Sequence, residues 1–77
     1  MTPAEADKRI MHSRRVINGY KAGGTTPGTE KGTLVLLASE KGVLQQIATA
    51  LPDKRDKIDN LIGDIEVLME AFKAKMH

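Results

Sequence analysis

The side chains able to do chemistry are few and badly placed for it. There is no cysteine. The two histidines, His12 and His77, lie at opposite ends of the chain, and the two serines, Ser13 and Ser39, have no flanking nucleophile signature. A zinc site needs several His or Cys ligands at close spacing, so no metal site is expected, and no other cofactor motif is present. Gly23, Gly24, Gly28 and Lys31 invite a phosphate-loop reading. That reading fails, because Thr29 and Glu30 separate the glycine from the lysine and the motif needs Gly-Lys-Ser/Thr in direct succession. A chain of 77 residues can hardly enclose a substrate pocket of normal size. The expectation is a protein that is not an enzyme and takes no small-molecule substrate.

Two other patterns could bind a macromolecule. Lys8, Arg9, His12, Arg14, Arg15 and Lys21 make the first segment basic. Lys8, His12 and Arg15 share one helix face by their spacing, which suits phosphates or an acidic protein surface. Residues 34–51 partly match a helix-turn-helix, with Ala38 as the small residue at the crossing, Gly42 at the turn and Gln45 and Gln46 where base-reading side chains lie. Lys41 and Leu44 depart from the motif. Lys8, Arg9, His12, Arg15, Gln45 and Gln46 are thus the candidate nucleic-acid-binding residues. Against them, the net charge is only +2, and Tyr20 and Phe72 are the only aromatic side chains, too few for a base-stacking platform.

The second pattern is apolar. In residues 54–76, Ile58, Leu61, Ile65, Leu68 and Phe72 alternate steps of three and four, the rhythm of a helix–helix seam. Ile62, Met69 and Met76 flank it. Asp53, Asp56 and Asp59 near the start and Lys73, Lys75 and His77 near the end complement the helix dipole. A helix of this length is a rod of about 34 Å, long enough to project past a compact core. The seam can close the chain's own core, or pair with a second copy or another protein. About two and a half heptads are present, short of a firm coiled coil.

These residues need elements to position them. Thr2-Pro3-Ala4-Glu5 is a capping box with proline at the first helical position, so a first helix is expected over residues 3–21, with Gly23 as a stop. Residues 22–32 carry four glycines, three threonines and a proline and read as a flexible loop. Residues 33–51 read as a second helix. A β-hairpin over 33–47, turning at Ser39-Glu40-Lys41-Gly42, is the alternative. Pro52 breaks the chain, Asp53 is the expected N-cap of the last helix, and that helix runs over 54–76. The fold class is all-α, a single three-helix domain over residues 1–77.

So small a core is marginal alone, which favours self-association or docking on a partner. The expected function is a protein-binding module, such as a small adaptor, chaperone-like subunit or inhibitor, with homodimerisation expected. A small DNA-binding regulator is the alternative. The first 30 residues carry charges throughout, so no signal peptide is expected. The longest apolar run, Leu34 to Ala38, is too short to cross a bilayer. The expected location is the cytoplasm.

Overall fold

The structure is a computed structural model that describes residues 2–23 and 29–75. Three helices of nearly equal length follow one another: α1 (Pro3–Gly23), α2 (Glu30–Ala50) and α3 (Arg55–Ala74), with a single 3-10 turn, Pro52–Lys54, before α3. They form an elongated bundle measuring 40 × 17 × 16 Å. Asp7 pairs with Lys54 and Lys21 with Asp64, so α1 and α3 run parallel, while α2 returns in the opposite direction, packed chiefly on α3. No helix is long and apolar enough to cross a membrane, among the described residues.

α1 starts where the capping box places it. The Glu5 amide donates to Thr2 Oγ1 at 3.2 Å, and the Thr2 hydroxyl donates to the Glu5 carboxylate at 3.1 Å. The helix runs through Asn18-Gly19 to Gly23, because Tyr20 still packs against the core. Its buried face is Ala6, Ile10, Ser13 and Ile17. Ala6 and Ser13 are small, so α1 can lie close to its neighbours.

The hairpin alternative for 33–47 is incorrect. The segment is helical throughout, and α2 begins three residues earlier than expected, at Glu30. The buried set Thr33, Leu37, Glu40, Leu44, Ile47 and Ala48 has helical spacing, and Gly42 lies within the helix. The earlier start also shortens the expected 22–32 loop, of which residues 24–28 lie outside the described part of the chain.

Asp53 is not an N-cap. Pro52 opens a 3-10 turn, closed by the Lys54 amide donating to the Leu51 carbonyl at 3.0 Å, and α3 proper begins at Arg55. Proline fits this position because its missing N–H is not needed there. α3 ends at Ala74, followed by a turn at Lys75. It does not project beyond the bundle, because α1 and α2 extend to 21 residues each against its 20.

The core is aliphatic around one aromatic pair. Ile17, Leu37, Leu44, Ile47, Ile58 and Ile65 are almost fully buried. Tyr20 and Phe72 meet edge to face, with centroids 6.1 Å apart. One polar knot interrupts the apolar filling: Glu40 accepts from Ser13 Oγ and from Arg9 Nη2, both at 2.7 Å.

At the opposite side of α1, the Lys54 ammonium donates to Asp7 Oδ1 at 2.7 Å and clamps the start of α1 to the start of α3. This hydrogen bond holds the Asp7 carboxyl below its ordinary value, helped by the positive charges of Lys54 and Lys57 and opposed by partial desolvation. A carboxyl whose folded pKa is lowered contributes stability above its unfolded pKa of about 3.9, and that contribution is lost as pH falls through the lowered value. Asp7→Asn is therefore expected to flatten the fall of thermal stability below about pH 4. Melting curves of both proteins at stepped pH check this; parallel acid limbs would count against the clamp.

Candidate protein-binding face

The apolar seam of α3 faces the chain's own core. Ile58, Leu61, Ile65, Leu68 and Phe72 are all buried, Leu68 being the most exposed at 9%. Of the two open alternatives, closing its own core is the one observed in the monomer. Ile62 and Met69 sit half-buried at the edge of the same core. Met76, the last member of the expected set, lies outside the described residues, as does His77.

The candidate nucleic-acid residues are not brought together as a reading head. The helix-turn-helix expectation fails, since α2 is continuous from Glu30 to Ala50 and makes no turn at Gly42. Leu44, which departs from that motif, and Ala48 are core residues of a single helix. Gln45 and Gln46 are exposed on α2, whereas Lys8, His12 and Arg15 are exposed on α1. Arg9 is occupied by its ion pair with Glu40. What survives is a basic outer face on α1.

Sequence reasoning missed a different surface. Every exposed residue of α2 from Gly32 through Ala50 is uncharged: Gly32, Val35, Leu36, Ala38, Ser39, Gln45, Gln46, Thr49 and Ala50. The acid and base within this span are otherwise engaged, Glu40 in the buried knot and Lys41 half-buried with Glu66 at 3.2 Å. The exposed faces of α1 and α3 carry charges along their whole length, among them Lys8, Arg14 and Arg15 on α1 and Asp56, Asp59, Glu66 and Glu70 on α3. Val35 is 66% exposed and Leu36 43%. Gly42, Gln45, Gln46, Thr49 and Ala50 line a shallow depression further along the same helix. The signal was present in the run Leu34-Val35-Leu36-Leu37. A helix can bury only one stripe of such a run, so Leu37 enters the core and Val35 and Leu36 are left outside.

Chemically this surface can bury area and exchange amide hydrogen bonds, and little else. A second depression, between α2 and α3, is lined by Lys41, Glu66, Met69, Glu70 and Lys73. Lys41 and Lys73 are ion-paired with Glu66 and Glu70 there. Among the described residues, no three His, Asp or Glu side chains cluster to hold a metal ion, and no buried side-chain nitrogen or oxygen lacks a hydrogen-bond partner.

No family model, curated protein or solved structure matches this chain.

Proposed function

We propose that this chain is a non-enzymatic protein-binding module, a small adaptor, chaperone-like subunit or inhibitor, that engages protein through the outer face of α2. The observation that carries this reading is the uncharged strip from Gly32 to Ala50, with Val35 and Leu36 side by side in solvent. In a chain whose residues are 29% charged, a strip of about 27 Å without an exposed charge is the kind of surface that association covers. The seam of α3 supports the reading indirectly, by holding the bundle rigid behind that strip. The DNA-binding alternative retains a basic α1 but has no inserted reading helix. The proposed compartment is the cytoplasm, since a cysteine-free aliphatic core gains nothing from an oxidising one.

The test is capture from extract of the source cells by the tagged full-length chain, with two exposed apolar positions compared. A protein retained by the wild type and by Val67→Lys on α3 but lost with Leu36→Glu on α2 supports the reading. No retained protein, or retention indifferent to Leu36→Glu, overturns it.

A further inference from the structure

We infer that the outer face of α1 binds the phosphate backbone of a nucleic-acid duplex without reading its sequence. This uses a surface other than the α2 strip, so either reading stands without the other. The starting observation is where the charge sits. α1 carries five basic side chains against two acidic ones, and the rest of the chain seven against eight, so the positive surplus belongs to α1. Both of its acids are engaged, Glu5 in the capping box and Asp7 with Lys54. Of its cations, Arg9 and Lys21 answer Glu40 and Asp64. Lys8, Arg14 and Arg15 are exposed and in no ion pair among the described residues, and His12 is exposed between Lys8 and Arg15 on the same face.

The groove between α1 and α3 adds a fourth unpaired cation. Asp7, Arg14 and Lys21 stand seven apart on one row of α1, and both ends of that row are tied to α3. Lys57 stands seven before Asp64 on the matching row of α3, and its charge acts on Asp7. Arg14 and Lys57 are the members of these rows that no acid answers. The acids of α3 lie elsewhere: Asp59, Glu66 and Glu70 share its other flank, where Glu66 reaches Lys41 on α2. The positive side of the bundle is therefore not cancelled by its negative one. Lys8 and Arg15 are about 10 Å apart along the helix, and a duplex presents about six phosphate charges over that length. A polyanion of this density also releases condensed counterions on binding, a gain that the scattered carboxylates of a protein surface do not offer. A membrane surface fits less well, because an interfacial helix needs a free apolar face, and Met11 is the only large apolar side chain exposed on α1. Both aromatic rings pack on each other at the core, which leaves none to stack on single-stranded bases.

Fluorescence anisotropy of two labelled DNA duplexes of unrelated sequence, titrated with the full chain at stepped salt, tests this. Both are expected to bind alike and to weaken about a hundredfold between about 50 and about 200 mM salt, the steepness of roughly four phosphate contacts. Lys8→Gln with Arg15→Gln is expected to lower the log–log salt slope by about two, with helicity unchanged by circular dichroism. Lys73→Gln, the same kind of charge removal beside Glu70 on the other flank of α3, is expected to leave the slope as in the wild type. Absence of binding at low salt overturns the inference, as does a slope that Lys8→Gln with Arg15→Gln leaves unchanged or that Lys73→Gln lowers as much per charge. Equal or tighter binding to polyglutamate, or to phosphatidylserine vesicles, at the same salt also overturns it and assigns the face to acidic protein or to membrane.

Discussion

Phe72→Ala is expected to remove about 3–5 kcal/mol of folding stability, the largest effect of any single truncation in this chain. Phe72 is 2% exposed and is the only aromatic ring fully inside the core. It joins α3 to α1 through the Tyr20 edge, at an interplanar angle of 79°, and the Lys75 ammonium lies 5.4 Å from its centroid. Truncation to a methyl group removes the ring's burial, the aromatic pair and the cation contact together. It also opens a cavity that stiff aliphatic neighbours refill poorly. A chain of this length has about 4–12 kcal/mol of total stability, so the loss is a large share of the whole. Urea titration followed by circular dichroism measures it. Val67→Ala, one turn away but 70% exposed, is the control and is expected to stay within about 0.5 kcal/mol of wild type. A loss below about 1 kcal/mol for Phe72→Ala would show that α3 frays before residue 72 and that the core ends earlier.

Much of this arrangement was legible in the amino-acid sequence because helix formation leaves periodic marks. The capping box at Thr2-Pro3-Ala4-Glu5 fixes the start of α1, and the three–four alternation from Ile58 to Phe72 fixes the core face of α3. The middle segment was ambiguous for a physical reason. Leu34-Val35-Leu36-Leu37 is apolar at every position, so it has neither the period of a helix nor that of a strand. Only the partners on α3 and α1 decide which of the four goes inside. The interaction face was illegible for the same reason: an uncharged surface is defined by which residues tertiary packing leaves out. Equal helix lengths were also hidden, since the extra turn at the start of α2 lies in Glu30-Lys31-Gly32, a stretch with loop-like composition. Arg9 shows the limit of counting charges. In the sequence it belongs with a basic face; in the fold it answers a carboxylate 31 positions away.

That ion pair is the second place where one side chain is expected to matter greatly. Glu40 lies on the core stripe of α2 between Leu37 and Leu44 and is 7% exposed. Its carboxylate has two donors, the Ser13 hydroxyl and the Arg9 guanidinium. Arg9→Met keeps the stem's packing and removes the charge, leaving a buried carboxylate with one neutral donor. The expected loss is about 2–4 kcal/mol, measured by urea titration. Ser13→Ala removes only the neutral donor and is expected to lose about 1 kcal/mol. Arg9→Met combined with Glu40→Leu removes the charge as well as its partner, and most of the loss is expected to return, because well-packed apolar side chains replace a buried ion pair at little cost. The cycle isolates the coupling between the two positions. A loss near zero for Arg9→Met would mean that Glu40 swings to water and that the pair behaves as an exposed one. The three polar groups also select the register of α1. Its core face is otherwise Ala6, Ile10 and Ile17, apolar residues that would tolerate a slide of one turn along α2. Such a slide carries Ser13 and Arg9 away from Glu40 and sets Ile10 or Ile17 against an unpaired carboxylate, so the arrangement that pairs the charge is the one the chain adopts.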